Sequence, residues 1–102
     1  MLFAAQAHAG RPQPVRIAAI SRHVFGTRWR VAACIAHYES TDGAHLFNGV
    51  NLGPWQINVD AHPWVDRRRV VWDWLYSARA AFRISRGGTD WSAWGTHADC
   101  GV

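Results

Sequence analysis

The stretch that decides the fold is a nearly unbroken apolar run, Trp29-Arg30-Val31-Ala32-Ala33-Cys34-Ile35-Ala36-His37-Tyr38-Glu39-Ser40. A helix with apolar residues on every side is typical of a helix buried at the centre of a domain. We expect Thr27 to cap its start. The helix should end at Ser40, because Thr41-Asp42-Gly43 is typical of a loop.

Two further helical segments flank this central helix. From Val15 to Phe25 apolar residues recur at helical spacing, and Gly26 ends the run. Residues 66–86 repeat that spacing, with a break near Asp73 and Gly87-Gly88 at the end. Residues 43–63 are too rich in Gly and Asn for a long helix, so we expect a loop with at most a short hairpin. The pattern predicts a helix-rich domain.

Composition limits the class of protein. The chain has 102 residues, of which 49% are hydrophobic and 18% charged, as in one packed domain and unlike a disordered chain. All 11 basic residues are Arg, and Glu39 is the only Glu. No apolar run approaches the roughly 18 to 20 residues that cross a bilayer, so no transmembrane helix is predicted.

The N-terminus and the cysteines bear on the compartment. Ala7-His8-Ala9 is similar to a signal-peptidase site, so residues 1–12 are interpreted as a disordered arm or the remnant of an export signal, and residues 13–102 as the folded domain. Cys34 and Cys100 match no metal-ligand spacing. They form either a disulfide, which needs an oxidising compartment, or two buried thiols.

Glu39 is the candidate catalytic residue. It closes the most apolar helix, where the negative end of the helix dipole and apolar neighbours both disfavour the carboxylate anion. A carboxyl group in such a place can act as a general acid near neutral pH. The alternative is that Glu39 is an ordinary solvated carboxylate at a helix end. The position of Glu39 after an apolar helix argues against this alternative.

From Glu39 onwards the sequence resembles the lysozyme-like superfamily, and in particular its soluble lytic transglycosylase type. Gly53 follows Glu39 by fourteen residues, at the spacing of the Glu-Ser and Gly-x-x-Gln-Ile motifs of that family. The segments that carry the resemblance, over about residues 15–97, are Ala33-Cys34-Ile35-Ala36-His37-Tyr38-Glu39-Ser40, Gly53-Pro54-Trp55-Gln56-Ile57-Asn58, Ala61-His62-Pro63-Trp64, Tyr76-Ser77-Ala78-Arg79-Ala80-Ala81 and Trp91-Ser92-Ala93-Trp94-Gly95.

The resemblance implies a predominantly helical α+β fold with a groove for a peptidoglycan strand. It implies that Glu39 protonates the oxygen between N-acetylmuramic acid and N-acetylglucosamine, while positive charge develops at the anomeric carbon. The substrate-binding residues expected from it are Ser40, Asn51, Trp55, Gln56 and Tyr76. It also implies action outside the cytoplasm, as a secreted, wall-associated or phage-borne enzyme.

The sequence departs from the family pattern at Asn51, where two-carboxylate lysozymes carry Asp. A single acid favours a lytic transglycosylase, in which Glu39 serves as acid and then as base. A hydrolytic muramidase would need Asp42 or Asp60 as its second carboxylate, although each is typical of a turn or cap. Ser77 also stands where the family usually has Asn, and Trp74 where Pro is common.

We expect the aromatic and His residues to divide between the core and the site. We expect Trp29, Trp72 or Trp74, and Trp94 in the core, and Trp55 in the groove; Tyr38 fits either place. His62 is interpreted as a loop-packing residue. No metal site or cofactor is predicted, because neither His-Glu-x-x-His nor Pro-Cys-x-x-Cys occurs.

The excess of Arg has three interpretations. It could bind nucleic acid, it could attract a basic enzyme to the polyanionic bacterial wall, or it could be a solvated helix face. No nucleic-acid motif supports the first. We therefore expect a monomer that binds peptidoglycan strands and not nucleic acid, with a non-catalytic, Trp-rich binding module as the rival hypothesis.

Overall fold

Four α-helices, one of them a single turn, and a small sheet surround one core in the computed structural model, which describes residues 10–102. Helix α1 spans Pro14–Phe25 and α2 spans Trp29–Ser40. Strands β1 (Phe47–Asn48), β2 (Asn51–Leu52) and β3 (Ile57–Asn58) follow. A short helix α3, Arg69–Trp72, precedes α4, Trp74–Ile84, and a 3-10 helix over His97–Cys100 ends the fold. The predicted α+β architecture is confirmed.

The junction between α1 and α2 differs from the sequence prediction. Gly26 ends α1 in a left-handed conformation, φ 57°, as predicted, but residues 26–28 then form a 3-10 turn. Thr27 lies inside that turn, so it lacks the extended backbone of an N-cap, and α2 begins without a side-chain cap. The predicted cap at Thr27 is wrong.

Helix α2 is buried along one face only. Ala32, Ile35 and Ala36 are fully buried, whereas His37 is exposed and Tyr38 is 52% exposed. In a domain of this size a helix that packs against α1 still faces solvent on its other side. The expectation of a helix buried on every side is therefore wrong, while its predicted end at Ser40 is confirmed.

The segment after α2 holds more strand than predicted. The three strands form an antiparallel sheet in the order β1-β2-β3, where the sequence predicted at most a hairpin. Leu52 pairs with Phe47 on one side and with Ile57 on the other, which makes β2 the central strand. This small sheet holds Asn51 and Asn58 directly opposite each other.

The predicted break near Asp73 is confirmed. Asp73 has an extended backbone, and its carboxylate accepts a hydrogen bond from the Tyr76 amide, which caps α4. Trp74 and Trp94 lie in the core as expected. Trp29 and Trp72 are only half-buried against that core.

A disulfide joins Cys34 in α2 to Cys100 at the end of the chain. It connects two parts of the fold that are 66 residues apart in sequence. The predicted arm over residues 1–12 lies largely outside the described residues, which begin at Gly10. No helix within residues 10–102 combines the length and apolar character needed to cross a membrane.

Candidate active site

Glu39 lies in the last turn of α2 and is half-buried. The hydroxyl of Thr96 donates a hydrogen bond of 2.6 Å to its Oε2. Within the described part of the chain, Glu39 Oε1 has no hydrogen-bond partner. One carboxyl oxygen is thus fixed by the protein, and the other remains available to a ligand.

Thr96 is a site residue that the sequence did not reveal. It follows the Trp91-Ser92-Ala93-Trp94-Gly95 segment and lies 57 residues from Glu39. The buried Trp94 anchors this segment, since its indole Nε1–H donates to the Trp55 carbonyl at 2.7 Å. The signal available in the sequence was the position of Thr96 two residues after that aromatic anchor.

The chain turns sharply after Glu39. Thr41, Asp42 and Gly43 all have left-handed backbones, with φ of 52°, 56° and 85°. Ser40, which is fully buried, donates through Oγ to the Ala36 carbonyl and accepts from the Gly43 amide. Ser40 therefore braces the turn and is not exposed to bind substrate, so the substrate-binding prediction for Ser40 is wrong.

A cavity of about 110 Å³ lies beside the sheet. It is lined by amide, imidazole and apolar side chains: Asn51, Gln56, Ile57, Asn58, His62, Ile84, Ala93 and Trp94. Glu39 is not among the lining residues. One short segment connects the cavity to Glu39, because Trp94 lines the cavity and Thr96, two residues later, donates a hydrogen bond to Glu39. Amide groups of this kind suit the N-acetyl groups of a glycan.

Gln56 lies in this cavity in a constrained conformation. Its backbone φ is 47°, and its Nε2 donates to the carbonyls of Gly53, at 2.9 Å, and His45, at 3.3 Å. Both amide hydrogens are thereby used within the protein. What Gln56 can still offer a ligand is its carbonyl oxygen, an acceptor for an N–H group.

A second set of hydrogen bonds connects Gln56 to the helix end that bears Glu39. The His45 carbonyl accepts from Gln56, and the His45 amide donates to the Ser40 carbonyl at 2.9 Å. Ser40 directly follows Glu39. The Glu-Ser motif and the Gly-x-x-Gln motif are therefore joined through the turn between them.

Trp55 and Tyr76 have structural roles. Trp55 is completely buried, and its Nε1–H donates to the Ala32 carbonyl at 2.9 Å. The predicted place of Trp55 in the groove is therefore wrong, because its ring fills the core. The Tyr76 hydroxyl accepts from the Asp66 amide at 2.7 Å, and the guanidinium of Arg69 covers its ring. Tyr76 does not line the cavity.

Asn58 and His62 were not predicted as site residues. Asn58 Oδ1 accepts from the amides of Asp60 and Ala61. His62 Nδ1 lies 2.9 Å from the Asn58 carbonyl, which is the loop-packing contact expected of it, although its side chain also lines the cavity. The signal for Asn58 was its place directly after Gln56-Ile57.

Both candidates for a second carboxylate have partners elsewhere. Asp42 Oδ2 lies 3.2 Å from His37 Nδ1, and Asp60 forms a 2.8 Å ion pair with Arg67. Neither lines the cavity. Among the described residues no cluster of three or more His, Cys, Asp or Glu side chains could hold a metal ion.

Several Arg side chains stack on aromatic rings. Arg16 covers Trp74, and burial lowers the pKa of its guanidinium, an effect that the negative charge of Asp73 partly offsets. Arg83 covers Trp64, while Arg22 and Arg30 both contact Trp29. Part of the Arg excess thus shields aromatic surface.

Two exposed carboxyl groups are held in their charged form. Hydrogen bonds from the amides of Arg69 and Arg68 lower the pKa of Asp66. The hydroxyl and then the amide of Ser92 lower the pKa of Asp90. Both carboxylates stabilise local turns rather than the cavity.

Comparison with known proteins gives one family. The family model described as "Lysozyme like domain" matches residues 18–96, which include Glu39, the cavity and Thr96. No curated protein and no solved structure matches the chain significantly.

Proposed function

Because the chain belongs to the lysozyme-like domain family, whose members are in general glycosidases that act on peptidoglycan, we propose that it is a lytic transglycosylase with Glu39 as its acid and base. The bond cleaved is the β-1,4 linkage between N-acetylmuramic acid and N-acetylglucosamine. The observation that carries this proposal is the Glu39 carboxyl group itself. It is half-buried and held at Oε2 by Thr96, and its Oε1 is free among the described residues.

The reaction begins with protonation. Glu39 gives its proton to the glycosidic oxygen, the bond from that oxygen to the anomeric carbon breaks, and the N-acetylglucosamine portion leaves as an alcohol. Positive charge at the anomeric carbon is shared with the substrate's own N-acetyl oxygen. The Glu39 carboxylate then takes the proton of the muramic-acid C6 hydroxyl, whose oxygen bonds to the anomeric carbon. The product is a 1,6-anhydro sugar, and no water is consumed.

The composition of the cavity supports a single-acid mechanism. Asn51 stands where two-carboxylate lysozymes carry Asp, Gln56 and Asn58 add further amides, and no Asp or Glu is among the residues that line the cavity. The engagement of Asp42 with His37 and of Asp60 with Arg67 points the same way. An amide can hold an N-acetyl group but cannot activate water as a general base.

The decisive experiment compares the wild type with Glu39→Gln on a suspension of purified peptidoglycan. We expect the wild type to clear the suspension and Glu39→Gln to lose at least about 100-fold in rate, the usual scale of general acid catalysis. Circular dichroism should show that the variant is folded. Equal clearing by both proteins would disprove the catalytic role, and binding without clearing by either would support the rival binding module.

Mass spectrometry of the released fragments separates the two reaction types. Anhydro ends are expected from a transglycosylase, and reducing ends from a hydrolase. Asp42→Asn and Asp60→Asn serve as matched controls, because each removes one candidate second carboxylate while keeping its size. Reducing ends together with a large loss in either control would replace this proposal by a muramidase mechanism.

The disulfide and the substrate class support action outside the cytoplasm. Disulfides persist in oxidising compartments, and Cys34 is bonded to Cys100. A net charge of +4 also favours approach to a polyanionic wall. We include secretion, wall association or delivery by a phage in the proposal.

A further inference from the structure

The contact between Thr96 and Glu39 assigns a role to a residue outside the family motifs. Thr96 is the one described residue that hydrogen-bonds to the Glu39 side chain. We propose that Thr96 is a positioning residue for Glu39, and that the Cys34–Cys100 disulfide holds Thr96 in place. This inference rests on the proposed function, because it concerns the same acid.

The hydrogen bond from Thr96 favours one oxygen of Glu39 as the carrier of the transferable proton. While the Thr96 hydroxyl donates to Oε2, Oε2 is the acceptor, and the proton of the acid form is carried by Oε1. The 2.6 Å bond also fixes the plane of the carboxyl group. Orientation of this kind is worth a large factor in rate, because a reacting group misplaced by about 1 Å can cost about 100-fold.

Few hydrogen bonds attach the segment that bears Thr96 to the rest of the fold, although its 3-10 helix also packs against α2. Beyond its contact with Glu39, the hydrogen bonds of residues 96–102 stay within residues 94–102: His97 with Trp94 and Val102, Asp99 with Thr96, and Gly101 with Ala98. The segment is covalently attached to the rest of the fold by the disulfide of Cys100, which lies four residues after Thr96.

The partner of that covalent bond lies on the same helix as the acid. Cys34 precedes Glu39 by five residues in α2, and Cys34 and Cys100 have their Cα atoms 5.8 Å apart. The terminal segment is therefore fastened to α2 twice, once by the disulfide and once by the hydrogen bond to the acid. Opening the disulfide would release the C-terminal end of the segment, four residues after Thr96.

Thr96→Val is the first test, because it keeps the shape of the side chain and removes the donor. We expect kcat for peptidoglycan cleavage to fall between about 10- and 100-fold with KM unchanged, since Thr96 does not line the cavity. Thr96→Ser retains a hydroxyl and should restore most of kcat. Thr89→Val is the matched control, because the Thr89 hydroxyl also donates a hydrogen bond, but to the Arg86 carbonyl and not to Glu39; it should leave kcat unchanged.

The role of the disulfide is tested by a double-mutant cycle. Cys34→Ala/Cys100→Ala should lower kcat in the wild-type background and have little further effect on kcat in the Thr96→Val background, because both changes act through the same contact. All rates are measured below the unfolding temperature of the least stable variant. Additive losses would overturn the role assigned to the disulfide.

The failures of the two proposals are distinguishable. If Glu39→Gln stays active, the proposed function fails whatever Thr96 does. If Glu39→Gln is inactive but Thr96→Val keeps the wild-type kcat, or if Thr96→Ser fails to rescue while it folds normally, Thr96 is not a positioning residue. The Thr96 variants leave the disulfide intact, so this test stands even if the cysteine variant fails to fold.

Discussion

Gly53 packs directly against the carbonyl oxygen of Val70. Its φ is +82°, and a Cβ at this position would overlap that oxygen and approach the side chain of Ser77. The glycine of the Gly-x-x-Gln motif is thus required by backbone packing, because it lets the cavity-lining turn lie against the start of α3. The same turn presents the Gly53 carbonyl to Gln56 Nε2.

Gly53→Ala should destabilise the fold. The overlap is with backbone, which cannot move aside as a flexible side chain can, and the positive φ adds strain of about 1–2 kcal/mol. We expect a total loss of at least about 3 kcal/mol in the free energy of unfolding. Urea unfolding monitored by Trp fluorescence measures it.

Gly49→Ala is the control for Gly53→Ala. Gly49 also has a positive φ, +60°, but a Cβ there would meet no atom within 4 Å. Its replacement should cost only the conformational strain, about 1–2 kcal/mol. Equal losses for the two variants would show that contact with Val70 is unimportant.

Trp55→Phe should reduce stability more than it affects sugar binding. The ring of Trp55 is fully buried, and its indole donates to the Ala32 carbonyl. Loss of volume and of that hydrogen bond should cost about 2–4 kcal/mol. Trp64→Phe, at a 40% exposed position, should change stability by less than about 1 kcal/mol. A folded, stable Trp55→Phe with greatly weakened glycan binding would restore the groove assignment.

The difference between Trp55 and Glu39 shows what the sequence could reveal. The place of Glu39 at the end of α2 follows from helical spacing and from the loop residues after it, both of which are local signals. Whether Trp55 stacks on a sugar or fills the core depends on what lies opposite, here the Ala32 carbonyl. An aromatic side chain suits both environments, so the residue type alone does not decide whether Trp55 lies in the groove or in the core.

The same limit explains why Thr96 was missed. Its contact with Glu39 spans 57 residues and has no periodicity in the sequence. Tyr76 illustrates a related limit. A family motif identifies a position, but the hydroxyl of Tyr76 is used by the Asp66 amide in this chain. Local patterns therefore predicted helices, turns and the candidate acid, whereas long-range hydrogen bonds determined the remaining roles.

Ser77→Ala should leave stability unchanged or raise it. Ser77 is fully buried, and its hydroxyl has no hydrogen-bond partner among the described residues. Removing an unsatisfied buried hydroxyl relieves a desolvation cost of about 1–3 kcal/mol and leaves only a small void. Thermal unfolding should show a melting temperature equal to or above that of the wild type.

Ser40→Ala is expected to have the opposite effect, because Ser40 is also fully buried but its hydroxyl has hydrogen-bond partners. Ser40 donates to Ala36 and accepts from Gly43, so its loss leaves the Gly43 amide without that partner. We expect a loss of about 1–3 kcal/mol. If Ser77→Ala destabilises as much as Ser40→Ala does, the hydroxyl of Ser77 has a partner in solution.

Asp66→Asn should weaken the dependence of stability on acid pH. The amides of Arg69 and Arg68 lower the pKa of Asp66 in the folded state, below its value of about 3.9 in the unfolded chain. A group with a depressed folded pKa contributes stability above its unfolded pKa, and this contribution is lost as the pH falls through the folded pKa.

In Asp66→Asn, the amide side chain can still accept a hydrogen bond but does not titrate. The urea midpoint of the wild type should therefore exceed that of Asp66→Asn near about pH 6, and the gap should narrow as the pH falls below about 3.9. Asp90→Asn should behave in the same way, since hydrogen bonds from Ser92 lower the pKa of Asp90. A gap that stays constant over this range would mean that neither carboxylate is held in its charged form by the fold.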